Sequence, residues 1–307
     1  MRNAVVERLT ELAENDDKLV LITGDLGFGV LEKFQKRFPK QFLNVGVAEQ
    51  NMTAIAAGMA LEGHIVFTYS IGNFPILRCL EQIRNDVCYH ECNVNIISVG
   101  GGFSYGSLGM SHHATEDISV MRSLPNMTVL SPSEPWQAAQ CIDEAINDPR
   151  PSYIRIDKSS GGISKESGQK FQLGKANIVR SGQDLTIIAT GGILKEALEA
   201  SDLLSKKGVE CRVIDLGTIK PIDEMAIIAA AKETGGIITL EEHNKIGGLG
   251  SAVSDVCMDN GVLPKFFVKM GMNDVYSSVV GSQQYLRGHY ELDSSAVVKQ
   301  TLIALNK

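Results

Sequence analysis

Short apolar runs alternate with longer amphipathic stretches along this chain. In its first half, KLVLITGDL (18–26), QFLNVGV (41–47), HIVFTYS (64–70), VNIISVGGG (94–102), MTVLSPS (127–133) and PSYIRID (151–157) read as buried strands ending in glycine, serine or polar residues. Helical spacing of apolar positions recurs near 2–14, 49–62, 74–90, 115–123 and 134–147. Continuously apolar strands separated by helices predict a parallel sheet covered on both faces, with functional groups beyond the strand C-termini. Between 158 and 182 the pattern lapses into Gly, Ser and Lys. It resumes with strands at 185–190, 210–216, 235–243 and 265–271. The expectation is α/β throughout. A doubly wound, mostly parallel domain at 1–160 is followed by a linker at 161–182 and a smaller α/β domain at 183–307.

Composition narrows the function. The 307 residues are 44% hydrophobic and 21% charged, enough to bury two cores. A net charge of −7 points away from nucleic acid and anionic membranes, because nothing offsets phosphate repulsion. No apolar run reaches the roughly 18 residues a membrane span needs. The first residues, MRNAVVERLTELAEN, carry helix-spaced charge rather than the apolar stretch of a secretion signal. With six scattered cysteines, this predicts a reduced, cytoplasmic setting. Cys88, His90 and Cys92 in CYHEC lack a second ligand pair, so they read as core or surface residues and no metal ligand is expected.

Three stretches hold candidate chemistry. In NVGVAEQNMTAIAAGMAL (44–61), Glu49 opens an apolar helix. It is either a water-facing first-turn carboxylate favoured by the helix dipole, or a carboxylate held inside for a partner. VFTYSIGNFP (66–75) places Phe67, Tyr69 and Phe74 at and after a strand end, as core filling or as an aromatic wall. SHHATED (111–117) sets His112 and His113 on a loop before a helix that Glu116 and Asp117 would begin. GDLGFG (24–29) lacks the lysine of a phosphate-binding loop, and GGLGSAV (247–253) reads as a tightly packed helix start, with an anion site as the alternative.

Residues 44–70 together with GMSHHATEDISVMRSLPNMTVLSPSEPWQ (109–137) closely resemble the pyrimidine-binding domain of transketolase, and EEHNKIGGLGSAV (241–253) resembles its C-terminal domain. The resemblance covers essentially the whole chain. It implies thiamine diphosphate as cofactor, with Glu49 hydrogen-bonded to the aminopyrimidine to support loss of the thiazolium C2 proton, in a site shielded from water. Tyr69 and Phe74 would stack on that ring. His112 would contact the transferred two-carbon unit, with His113 beside it. Arg2 and Lys158 match the family's sugar-phosphate arginines, Lys158 without the bidentate fork.

Departures matter as much. Asp25 and Asn51 stand at nearly the separation of the family's magnesium pair, but Leu26 replaces the second glycine of Gly-Asp-Gly and Asn51 falls in a helix. Asp25 is therefore placed beside the cofactor, not on a metal. Gly100, Gly29 and Leu108 stand where transketolase has a phosphate-binding histidine, a serine and a substrate-hydroxyl aspartate, which points away from the usual pentose phosphates.

The chain begins where the family's diphosphate- and Mg²⁺-binding domain would end, so the resemblance implies one half of a split enzyme. A separate subunit would supply that domain and ligate Mg²⁺, around a homodimer of this chain in an α2β2 complex. The expected activity is ketol transfer between sugars. Alternatives are a 1-deoxyxylulose-5-phosphate-synthase-like enzyme, a 2-oxo acid dehydrogenase β-type subunit, or a non-catalytic scaffold.

Overall fold

The computed structural model describes residues 1–306. Ten of its strands grow from the apolar runs. Those of the first half are β1 (Leu19–Thr23), β2 (Phe42–Asn44), β3 (Ile65–Ile71), β4 (Val94–Val99), β5 (Thr128–Leu130) and β6 (Ser152–Ile156). In the second half come β7 (Asn177–Arg180), β8 (Leu185–Ala189), β9 (Cys211–Asp215), β10 (Thr218–Lys220), β11 (Ile237–Asn244) and β12 (Phe267–Met272). β1, β4, β6, β8 and β11 are buried at every residue, as parallel strands covered on both faces must be.

Helices α1 (Arg2–Ala13), α2 (Glu32–Arg37), α3 (Glu49–Leu61), α4 (Leu80–Gln82), α5 (Asp117–Ser123) and α6 (Pro135–Asn147) belong to the first half. α7 (Leu194–Ser205), α8 (Glu224–Glu233), α9 (Leu249–Asp259), α10 (Gln283–His289) and α11 (Ser294–Ala304) follow. The expected single helix over 74–90 is broken: a 3₁₀ turn at Leu77–Cys79 leads into α4 and then a π-helical stretch at Ile83–Cys88.

The strands form two sheets, ordered β10-β5-β6-β4-β3-β1-β2 and β12-β11-β8-β9-β7. Two edge strands lie where the pattern gave no warning. β7 sits inside the span read as linker at 161–182 and pairs antiparallel with β9, so that span is corrected: part of it belongs to the second sheet. β10 comes from the second half yet pairs antiparallel with β5, completing the first sheet.

Tyr69 and Phe67 point into the core under α1 and α6, while α3 packs on the opposite face with Met52 and Ala56. That second core runs unbroken from Met52 and Ala56 through Met121 and Ile219 to Ala230 and Val253, so the two halves share it.

Polar contacts reinforce the junction. Asp215 Oδ2, at the end of β9, accepts hydrogen bonds from Ser133 Oγ at 2.8 Å and Gln137 Nε2 at 2.7 Å. Burial pushes the Asp215 carboxyl up to about 6, against the pull of those two donors. A raised carboxyl binds its proton more tightly when folded. Its stabilising contribution is therefore full below about pH 4 and lost as pH rises through about 6. Replacing Asp215 by Asn removes this dependence. From pH 5 to pH 8 the Tm difference between variant and wild type should move in the variant's favour by about 1 kcal/mol, roughly 2 °C, measured by scanning calorimetry.

Candidate active site

The candidate residues lie at or just beyond the C-terminal ends of β1, β2, β3, β4 and β6, and at the start of α1. α3 begins with Glu49, whose side chain turns inward and is 1% exposed. The water-facing reading of Glu49 therefore does not hold. Oε2 accepts from Arg78 Nη1 at 2.9 Å, whereas Oε1 is buried without a hydrogen-bond partner among the described residues. A buried carboxylate oxygen left open is costly unless a ligand meets it.

A line of contacts leads away from Glu49. The Arg78 guanidinium carbon lies 4.7 Å from the Phe74 ring centroid, and the His112 ring meets Phe74 edge-on at 5.1 Å. His112 is 6.4 Å from Tyr105, and Lys158 Nζ sits 3.7 Å over the Tyr105 ring. His112 Nδ1 lies 3.1 Å from Ser111 Oγ. Burial, and then the charge of His113, hold the His112 imidazolium pKa below its usual value, favouring the neutral ring. Desolvation and neighbouring Arg2 lower Lys158 likewise. Arg2 and Lys158 line one open hollow of about 550 Å³ with Pro135 and Asp157.

Thus Glu49, Phe74 and His112 come together, and Arg2 and Lys158 form the far end. Other candidates do not join them. Tyr69 is 1% exposed in the core on the other face of the sheet, because strand residues alternate sides. His113 is buried. Its Nε2 lies 3.2 Å from the Gly106 carbonyl, and its own carbonyl accepts from Asn73 Nδ2, so it ties the loop down. Asp25 is exposed in a left-handed conformation (φ 57°), and its carboxylate accepts from Asn44 Nδ2 at 3.0 Å. It braces the turn next to Glu49. Among the described residues, no group of three His, Cys, Asp or Glu side chains could hold a metal ion. Cys88 and Cys92 are buried thiols, Cys88 pushed up to about 12 by burial.

The loop carrying His112 is held by groups the pattern did not single out. Gly102 and Ala114 exchange backbone hydrogen bonds of 2.9 and 3.0 Å. Asp117 is indeed in the first turn of α5, but it is fully buried, accepting from Arg155 Nε at 2.7 Å and Tyr153 Oη at 2.6 Å. Arg155 also donates to the carbonyls of Ala114 and Glu242, and Phe103 N donates to the Glu242 carboxylate. Gly100 (φ 101°) has the Tyr105 ring packed where a Cβ would stand, so Tyr105 takes the room a side chain at 100 would need. At the other glycine-rich segment, Glu241 accepts from Leu249 N at 2.7 Å and Gly250 N at 2.8 Å. The α9 N-terminus is thus filled by the chain's own carboxylate.

The arrangement defines a two-domain α/β chain with a buried, half-open carboxylate at its strand ends, leading to a histidine and then to a pair of cations. Comparison gives the family. Residues 1–162 match the model of the transketolase pyrimidine-binding domain, and 174–297 that of the transketolase C-terminal domain. The chain belongs to the transketolase family, which depends on thiamine diphosphate. It is 37% identical to an apulose-4-phosphate transketolase subunit of Phocaeicola vulgatus, over 100% of this chain and 97% of that one. It is 34% identical to a 6-deoxy-6-sulfo-D-fructose transketolase subunit from a Clostridium species, over 97% and 92%. Among solved structures, a split gene transketolase described as an inactive β4 tetramer superimposes with a TM-score of 0.88, at 36% identity over 99% of this chain and 97% of that one.

Proposed function

We propose that this chain is the C-terminal-half subunit of a split transketolase, active in ketol transfer between sugars once joined to a partner that holds the diphosphate and Mg²⁺ site. The observation that carries this reading is the buried, unpartnered Glu49 Oε1: it fits the ring nitrogen of an aminopyrimidine. When bound, thiamine diphosphate supplies the carbon nucleophile that carries the two-carbon unit. Glu49 binds the ring nitrogen and shares its proton at Oε1, in a place where water does not compete. Phe74 offers the ring face beside it. His112, kept neutral by its surroundings, accepts or returns a proton at the sugar. Arg2 and Lys158 attract an anionic sugar end.

Apolar surface stands exposed around this site, Phe28 and Val47 at 73% and 75%. We assign its cover to assembly, as a homodimer of this chain flanked by two partner subunits. The relatives' names, apulose-4-phosphate and sulfofructose transketolase subunits, support a modified sugar as substrate. Tyr105 over Gly100, and the exposed Leu108, support the same choice because they replace polar contacts with apolar ones.

The test is a panel of sugars and 2-oxo acids given to the complex reconstituted with the N-terminal-half subunit. Ketol transfer is expected, with xylulose 5-phosphate and ribose 5-phosphate used at a kcat/KM below about 10⁴ M⁻¹s⁻¹. Decarboxylation of 2-oxo acids without ketol transfer would overturn the reading.

A further inference from the structure

Arg78 was not among the residues that the sequence singled out, and the role of Glu49 does not by itself require it. Yet it is the side chain that meets the buried Glu49 carboxylate, through Nη1 on Oε2 at 2.9 Å. Its own side chain is 46% exposed, so one end of the pair is dry and the other wet. The guanidinium is also fixed from a second side, 4.7 Å from the Phe74 centroid. Arg78 lies in the 3₁₀ turn Leu77–Cys79, four residues beyond Phe74, so one short segment supplies both the cation on Glu49 and the ring that flanks that cation.

We propose that Arg78 is a positioning residue for Glu49. It pins Oε2, so that Oε1 alone is presented to the aminopyrimidine, and it compensates the buried charge while the cofactor is absent. This inference rests on the thiamine diphosphate reading for the identity of the ligand, but not for the pairing itself. The pairing has a physical cause. A carboxylate taken out of water needs a charged partner or a hydrogen bond on each oxygen, and only one oxygen has one. A free carboxylate could rotate to offer either oxygen or both; one held at Oε2 cannot.

A double-substitution cycle tests it, with Arg78→Met, Glu49→Gln and the pair, each in the isolated chain and in the complex with the N-terminal-half subunit. In the isolated chain, Arg78→Met should lower Tm clearly more when Glu49 is present than in the Glu49→Gln background, where it removes a hydrogen bond to a neutral amide and not the partner of a buried charge. In the complex, Arg78→Met should weaken thiamine diphosphate binding about tenfold by calorimetry, and by far less in the Glu49→Gln background. Arg78→Lys, which keeps the charge, should restore most of the Tm and only part of the affinity. Equal Tm losses in both backgrounds would overturn the pairing. Tighter cofactor binding in Arg78→Met would show Arg78 to be a placeholder the cofactor displaces, and would overturn the positioning role. Failure of the wild-type complex to bind thiamine diphosphate would instead sink the cofactor reading, leaving the Tm cycle to judge the pairing on its own.

Discussion

Glu49→Gln should slow deuterium exchange at C2 of thiamine diphosphate in the assembled complex by about 10²–10⁴-fold, the range that a well-placed proton-transfer group contributes. The substitution keeps the shape of the side chain and a hydrogen bond to the ring nitrogen. On the proposed reading it removes the acid whose proton the ring nitrogen would share. Folding should survive, because the amide oxygen of the variant can still accept from Arg78 and the exposed end of Arg78 keeps its water. A Tm within a few degrees of wild type would accompany the slow exchange. Had Glu49 been a helix-end carboxylate facing water, its loss would instead have left the rate near normal with a slightly less stable helix. Exchange as fast as wild type in the variant would remove Glu49 from activation.

The second large effect lies in the joint between the domains. Arg155→Met should destabilise the chain by about 3–5 kcal/mol, because it removes one partner of a buried charge set and leaves the rest in place. Arg155 is 1% exposed, and its loss leaves Asp117 at 2.7 Å and Asp157 at 3.7 Å without their cation. The Asp157 carboxyl, already raised to about 6 by burial, would rise further without Arg155, which now pulls it down. The carbonyls of Ala114 and Glu242 lose a donor as well, so the loop carrying His112 loosens. Urea unfolding should show a lower midpoint at unchanged slope. A loss below about 1 kcal/mol would mean that the cluster is solvated or rearranges freely.

How much of this was legible beforehand follows from where each signal resides. Interior parallel strands announce themselves as unbroken apolar runs, so β1, β4, β6, β8 and β11 were readable to within a few residues. β7 and β10 are four and three residues long and lie at sheet edges. β7, half exposed, has no reason to be uniformly apolar, and β10 is too short for a pattern. α2 buries Phe34 alone, too little to mark a face.

In the site, the nearness of Glu49, Phe74 and His112 was anticipated through family resemblance, not periodicity. Tyr69 could have been placed by the strand itself, since it shares a side with Phe67, two residues back. Arg78 carried a signal in its spacing of four from Phe74. Arg155 carried a stronger one: a cation among five buried strand positions must have an anion nearby. Which anion, Asp117 at a separation of 38 residues, only the folded chain reveals.

β10 has a further meaning for the architecture. The first sheet borrows its last strand from beyond the connection, so a cut between the two halves would not yield two finished modules. It would leave β5 with a bare rim, its Thr128–Leu130 amides and carbonyls open to any passing strand. The two halves are interlocked through that strand and the core they share, and are not beads on a string. Any recombination that exchanges one half for another must carry Thr218–Lys220 along, or supply a substitute for it.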